Sequence, residues 1–181
     1  MEEMMAWCDA AYGIRYVSLR YFNACGALAG GAIGEDHFPE THLIPLVLRA
    51  AQGMGGLKVF GSDYETRDGT CVRDYIHVCD LARAHHLAAK YLLQGGQSDI
   101  FNLGNGEGFT VREVIEAAGR VTGTPVPYTM AARRIGDPAQ LVASNEKAAR
   151  VLGFTPRMRA MEDMIASAWK WHEAHPRGFE K

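Results

Sequence analysis

The sequence predicts an α/β fold, because β-prone runs alternate with amphipathic helical stretches along the chain. Two local patterns support this prediction. Residues 72–78 alternate apolar and polar side chains, as a half-buried strand does. Thr110 is followed by Glu113 at the spacing of a capping box, which marks the start of a helix.

Each element is placed from its composition and its boundary residues. β-branched and aromatic residues predict strands at 15–20, 57–60, 72–78 and 100–103. Helices are predicted at 1–12, 43–52, 81–94, 110–121, within 141–152 and at 162–175. Glycines end several of these helices, and a loop rich in glycine and alanine follows the first strand to about Gly34.

Composition favours a folded protein with one substantial core. Hydrophobic residues make up 48% of the 181 residues, and the formal net charge is −2. This charge gives no reason to expect nucleic acid or a membrane surface as a partner. No apolar run reaches the roughly 18 residues of a membrane span, and we see no signal-peptide pattern. We therefore expect a cytoplasmic protein.

Residue types that often bind metals do not form ligand sets in the sequence. The four cysteines lack Cys-x-x-Cys spacing, so reduced thiols are expected. Several histidines fall close together, but their spacing matches no compact ligand set. These histidines are His37, His42, His77, His85 and His86. We therefore expect no metal site.

The glycine-rich segment 104–108 follows a predicted strand and precedes a predicted helix, as a dinucleotide-binding loop does. Its spacing is G-x-G-x-G, whereas the dinucleotide pattern is G-x-G-x-x-G. We interpret this segment as an ordinary loop.

Residues 57–80 carry the most informative pattern: a strand, a turn-rich loop, then a cluster of basic, aromatic and histidine side chains. Arg73 stands beside Asp74 and Tyr75 on a predicted strand. A guanidinium binds phosphate bidentately and keeps a fixed charge, so this arrangement suits an anionic ligand. A structural Arg–Asp pair is the alternative.

Segment 57–80 and four other stretches resemble the UDP-glucose 4-epimerases of the extended short-chain dehydrogenase/reductase superfamily, in the same order. The other stretches are LRYFN at 19–23 with CGA at 25–27, GEDH at 34–37 with HLIP at 42–45, RRIGDPA at 133–139, and AWKWH at 168–172. The resemblance runs from about residue 2 to the end of the chain.

The resemblance implies that this chain is the C-terminal half of such an enzyme. The family's Gly-rich NAD loop and its Tyr-x-x-x-Lys pair have no counterpart here, so we assign no catalytic residue and expect the isolated chain to be inactive. Residues 1–25 and 75–105 would then include parts of an incomplete Rossmann domain. Residues 26–74 and 106–181 would belong mainly to the smaller substrate-binding domain.

The resemblance also assigns ligand contacts residue by residue. Arg73 and Arg134 would clamp the diphosphate, and Asp137 would accept the ribose hydroxyls. The remaining substrate contacts that it implies are Asn23, His42, Leu43, Lys58, Val59, Phe60 and Tyr75. Tyr21 and Phe22 would lie beside the nicotinamide of NAD.

The function implied is the NAD-dependent interconversion of UDP-galactose and UDP-glucose by a homodimer in galactose metabolism, with a UDP-hexose as ligand. Three alternatives stay open from the sequence. They are a 4-epimerase for N-acetylated or pentose sugars, a UDP-glucuronate decarboxylase, and a non-catalytic protein that binds nucleotide sugars. The loops around Cys71 and Gly104 would face the hexose and separate the enzymes.

Overall fold

A computed structural model describes residues 1–179. The helices in this range are α1 (Glu2–Tyr12), α2 (Leu43–Ala51), α3 (Val78–Leu93), α4 (Val111–Thr122), α5 (Glu146–Leu152) and α6 (Met161–Ala174). The strands are β1 (Val17–Arg20), β2 (Asn23–Cys25), β3 (Leu57–Phe60), β4 (Val72–His77), β5 (Asp99–Asn102), β6 (Gly108–Thr110), β7 (Tyr128–Ala131) and β8 (Gln140–Leu141). The predicted α/β fold is confirmed.

Strand β4 is the centre of the largest sheet. It pairs in parallel with β2 and β8 and antiparallel with β6. Two further parallel pairs, β1 with β5 and β3 with β7, complete the sheets of the described residues. The register aligns Asn23 with Tyr75 and Cys25 with His77, so β2 lies beside the C-terminal half of β4.

The observed bounds of β3, α4 and α3 show which sequence signals were sufficient to predict an element. β3 occupies the predicted range, and the capping box of α4 is formed, with Thr110 accepting from the Glu113 amide and the Glu113 carboxylate accepting from the Thr110 amide. Helix α3 begins three residues before the predicted start, because the His77 side chain caps it by accepting from the Cys79 amide.

Residues 72–77 form the predicted strand, but the prediction that this strand is half-buried is wrong. All residues of β4 are buried except Arg73, which is partly buried. Asp74 is polar but buried, because backbone amides donate to its carboxylate. Its polarity therefore does not mark a strand face that meets water. Four short strands, β2, β6, β7 and β8, were not predicted at all.

The buried apolar residues form two clusters. The first joins α2, α4 and α6 to β3 and includes Leu48, Val114 and Ile165. The second joins the β1–β5 pair to α3 and α5 and includes Phe101 and Phe154. The predicted division into two domains stays a prediction, and α5 is the element of the segment 106–181 that packs in the second cluster.

Helix α1 differs from the other helices because it has no buried residue. Gly13 ends it in the left-handed conformation, with φ of 67°. Within residues 1–179, every helix is too short or too polar to cross a membrane.

Candidate functional site: a cavity with two arginines

Ten residues that the family resemblance assigns to substrate line one cavity of about 430 Å³. We call it the arginine cavity. The ten residues are Asn23, His42, Leu43, Lys58, Val59, Phe60, Arg73, Tyr75, Arg134 and Asp137. They come from five separate segments of the chain, so the fold brings them together. Their contact with a ligand stays a prediction.

Strand β4 places Arg73 and Tyr75 on the cavity side, since side chains two residues apart in a strand share a face. The Arg73 guanidinium donates to the Asp137 carboxylate and, at 2.9 Å, to the Pro138 carbonyl. Tyr75 is buried, and its burial raises the pKa of the phenol. A phenol is already protonated at neutral pH, and burial strengthens this preference for the neutral hydroxyl.

Asp74 lies between these two residues and fastens the loops behind the cavity. Its carboxylate accepts from the amides of Asn105 at 2.8 Å, Ala143 at 3.1 Å and Gly106 at 3.3 Å. Burial raises the pKa of Asp74, and these hydrogen bonds offset only part of that rise. The Asp74 carbonyl accepts from Asn23 Nδ2 at 2.7 Å, so Asp74 also orients a predicted ligand amide.

Arg134 and its neighbour Arg133 have different surroundings. The Arg134 guanidinium lies over the Phe60 ring at 4.0 Å from the centroid, and no carboxylate of residues 1–179 forms an ion pair with it. Arg133 pairs with Asp63 at 2.6 Å and lies over Tyr64 at 4.2 Å. The guanidinium donors of Arg134 are therefore not used by side chains of residues 1–179, whereas Arg133 is already engaged.

Helix α2 directs its N-terminal end at the arginine cavity. His42 is the N-cap residue in an extended conformation, and Leu43 begins the helix. The amides of Leu43 and Ile44 have no intrahelical acceptor, as in the first turn of any helix. Because the N-terminal end carries partial positive charge, it favours a phosphate group.

The loop before α2 concentrates ionisable side chains. Glu40 Oε1 accepts from the amides of Thr41 and His42, each at 2.7 Å. Glu35 Oε1 lies 2.6 Å from His42 Nδ1. Burial raises the pKa of Glu35, the Glu40 carboxylate raises it further, and His42 counteracts both.

A second cavity, of about 530 Å³, shares Asn23 and His42 with the first. We call it the apolar cavity. Tyr21 and Phe22, which the resemblance places beside the nicotinamide, line it together with Leu28. No lysine or arginine of the described residues lines this cavity. Its wall suits a flat apolar ring and offers little to hold a pyrophosphate.

His77 supports the apolar cavity and was not predicted as a functional residue. Its Nδ1 accepts from the Cys79 amide at 3.1 Å, and its Nε2 lies 3.0 Å from Ser167 Oγ. Gly26, with φ of 85°, packs directly against the ring and leaves no room for a Cβ. Burial lowers the pKa of His77, and the Asp80 carboxylate offsets part of this effect.

Sequence reasoning also missed parts of the arginine cavity. Glu40 and Thr41 line it beside His42, and the segment GEDH-x-x-ETHL was the available signal. Cys71, expected near a hexose, lines this same cavity, and burial raises the pKa of its thiol. Gly104, also expected near the hexose, instead packs against the Asp74 carboxylate.

The fold and the cavities define an α/β protein in which a cavity lined by two arginines lies beside an apolar cavity. Residues 1–104 match the NAD dependent epimerase/dehydratase family. The chain belongs to this family.

Individual relatives are similar over nearly the whole chain. A UDP-glucose 4-epimerase of Halalkalibacterium halodurans is 56% identical over 180 residues, which are 99% of this chain and 54% of the relative. A crystal structure of a UDP-glucose 4-epimerase superposes with a TM-score of 0.95 at 51% identity, over 99% of this chain and 55% of that one. The UDP-glucose 4-epimerase of Bifidobacterium longum in complex with NAD⁺ and UDP superposes with a TM-score of 0.90 at 38% identity, over 98% of this chain and 53% of that one.

The chain thus spans about half the length of the relatives that it matches. That this half is the C-terminal one stays a prediction.

Proposed function

We propose that this chain forms the nucleotide-sugar-binding part of an NAD-dependent UDP-glucose 4-epimerase, which interconverts UDP-galactose and UDP-glucose. One observation supports the proposal most directly. All ten residues expected to contact substrate surround one cavity, and Arg134 has no carboxylate partner within residues 1–179.

The arginine cavity offers a complementary group for each part of UDP. The edge of β3 at Lys58 and Val59 would lie against uracil, with Phe60 as an apolar wall. Asp137 would accept from the ribose hydroxyls. The guanidinium groups of Arg73 and Arg134 would hold the diphosphate, because guanidinium donors match phosphate oxygens in geometry and charge.

The pairing of Arg73 with Asp137 suggests how the cavity would admit UDP. In this structure each group satisfies the other. A diphosphate would compete for Arg73, and a ribose would compete for Asp137. One bound UDP would therefore give each of the two side chains a new partner. The cavity thereby avoids an unpaired, partly buried charge in either state.

For NAD, the residues of the apolar cavity fit the nicotinamide end of the cofactor. Tyr21 and Phe22 line it, and the absence of cations from its described lining gives no site for the pyrophosphate. When bound, NAD supplies the hydride acceptor for carbon 4 of the hexose. The contribution of this chain would be to exclude water from that ring and to hold the UDP end of the substrate.

A homodimer and a cytoplasmic location belong to the same proposal. Helix α1 exposes Trp7 and Tyr12, whose relative exposures are 75% and 76%. An exposed pair of large aromatic side chains is a suitable contact surface for a second copy. The four cysteines are free, which agrees with a reducing compartment.

The proposal is tested by titrating UDP into the chain and two arginine variants by calorimetry. Arg134→Ala should weaken UDP binding about 10- to 150-fold, since a charge-assisted contact contributes roughly 1.5–3 kcal/mol. Arg133→Ala is the matched control, because its guanidinium is engaged with Asp63 and Tyr64. It should leave UDP affinity within about twofold of the parent.

Equal affinities of the Arg134→Ala and Arg133→Ala variants for UDP would refute the assignment of the cavity. UDP-galactose should respond to both substitutions as UDP does, since the arginines hold the diphosphate and not the sugar. A ligand preference for UDP-N-acetylglucosamine over UDP-galactose would favour the alternative 4-epimerase for N-acetylated sugars.

A further inference from the structure

The loop before α2 brings together two histidines and two glutamates at the junction of the cavities. Potential ligand atoms of His37, Glu40 and His42 lie within 4.8 Å of one another. Glu35 approaches the same place, with Oε1 2.6 Å from His42 Nδ1. These four side chains come from eight consecutive positions, so one loop supplies all of them.

Glu40 has the most buried side chain of this group. Its side chain is 5% exposed, and its Oε1 is held by the amides of Thr41 and His42. The same oxygen lies 3.7 Å from His37 Nδ1 and 3.3 Å from His42 Nδ1. Both imidazoles therefore converge on a carboxylate whose position the backbone fixes.

The two rings also face each other. The centroids of His37 and His42 are 5.2 Å apart, with 36° between the ring planes. Each ring is about half exposed, so either can adjust its orientation at little cost. The backbone thus holds the Glu40 carboxylate in place, and the two neighbouring imidazoles can rotate. These three groups can therefore move closer together around an ion.

The donor chemistry selects the kind of ion. Two imidazole nitrogens with carboxylate oxygens suit Zn²⁺ and related transition metals, whereas Mg²⁺ and Ca²⁺ prefer oxygen ligands. Glu35 and Glu40 place two carboxylates against one imidazole, and a divalent cation would neutralise their mutual repulsion. Arg49 and Arg177 line a neighbouring cavity together with Glu35 and Glu40.

We propose that His37, Glu40 and His42 bind a zinc ion, with Glu35 as a fourth ligand. The ion would bind the loop of residues 35–42 to the N-terminal end of α2. Its role would be structural, since this cluster lies in the wall between the cavities. The proposal goes beyond UDP binding. It shares His42 with the predicted substrate contacts, and it stands on its own geometry, the convergence of His37 and Glu35 with Glu40 and His42.

Zinc chloride titrated into tag-free chain, cleared of metal by a chelator, tests the proposal. Calorimetry should show one zinc per chain, and mass-spectrometric metal analysis after desalting should show the same stoichiometry. Cobalt(II) should give visible absorption bands typical of a low-coordinate site with nitrogen and oxygen ligands.

Three variants locate the site. His37→Ala removes an exposed ligand, and Glu40→Gln keeps an oxygen that can accept from Thr41 and His42 but lacks the charge. Each should lower zinc affinity at least about tenfold. His86→Ala, on the exposed surface of α3, is the matched control and should bind zinc as the parent does.

Circular dichroism of the Glu40→Gln variant should match that of the parent, which separates loss of metal from loss of fold. Two results would overturn the proposal. One is the absence of saturable zinc binding to the parent chain. The other is equal zinc affinity in the His37→Ala and His86→Ala variants. Neither result would alter the UDP titrations of the arginine variants, so the two proposals fail separately.

Discussion

The arginine cavity and helix α1 are opposite cases of how side chains are held in this molecule. Around the cavity, Tyr75 and Asp74 are buried, and the Asp74 carboxylate and the Asn23 amide each have a partner from another segment. Helix α1 has no buried residue, and Trp7 is 75% exposed. The polar attachment of α1 is through Glu2, which contacts Ser18 and Arg20.

This difference indicates which properties depend on the contacts of this chain alone. The binding groups of the arginine cavity are positioned by its own hydrogen bonds, so their roles can be measured by substitution in the chain. The apolar surface of α1 has no such internal support, and its role depends on what packs against it. Stability measurements can therefore separate the two regions.

The largest effect is expected at Asp74. In Asp74→Ala, the amides of Asn105, Gly106 and Ala143 lose their acceptor, and each buried unsatisfied donor costs about 1–3 kcal/mol. The free energy of unfolding, measured in urea, should fall by about 3 kcal/mol or more. Asp163→Ala removes an exposed carboxylate in the first turn of α6 and is the control; it should lower the free energy of unfolding by less than about 1 kcal/mol.

If Asp74→Ala lowers the free energy of unfolding no more than the control does, these loops keep their conformation without the Asp74 carboxylate. The cavity would then be no better supported than α1, and the contrast between the two regions would disappear.

A smaller effect, dependent on pH, is expected from His77. Burial lowers the pKa of His77, so the unfolded chain binds a proton that the folded chain does not. Stability should therefore fall as pH decreases below about 6.5, by up to about 1.4 kcal/mol per pH unit for each such histidine. His172 contributes in the same direction, because burial lowers its pKa as well.

Substitution of His77 by asparagine separates the two histidines. The new amide side chain would be neutral throughout, so the dependence of unfolding free energy on pH should lose the share that belongs to His77. Urea unfolding of the parent and the His77→Asn variant at pH 5 and pH 7.5 measures this. An unchanged difference between the two pH values would mean that His77 does not titrate as its burial implies.

Local signals in the sequence were sufficient to predict the elements whose own residues carry the pattern. Strand β3 and the capping box of α4 were predicted because their residues carry the pattern within a few positions. Strands β2, β6 and β8 have two or three residues each and exist as pairing partners of β4. No local pattern indicates them, since the partner lies elsewhere in the chain.

The candidate site was predictable in a different way. Its ten predicted residues were taken from family motifs, and periodicity would not have found them. The Asp74 contacts join residues more than 30 positions apart, so no spacing in the sequence reveals them. The cluster around Glu40 was overlooked because histidine spacings were judged without the glutamate between them.

The smallest effect is expected at the attachment of α1. The hydrogen bonds from Arg20 and Ser18 lower the pKa of Glu2 to about 2, from an ordinary value of 4.5. A carboxyl with a lowered pKa stabilises the folded state above its unfolded pKa, and that contribution disappears as pH falls from about 4.5 through about 2.

Because the ion pair is at the surface, Glu2→Gln at pH 7 should raise amide hydrogen exchange in α1 by less than about tenfold. Exchange in α4 should not change, since the Thr110–Glu113 capping box holds its start independently. Identical exchange of α1 in the parent and in Glu2→Gln would mean that α1 is held by its apolar contacts, and the contrast with the arginine cavity would then lie in exposure alone.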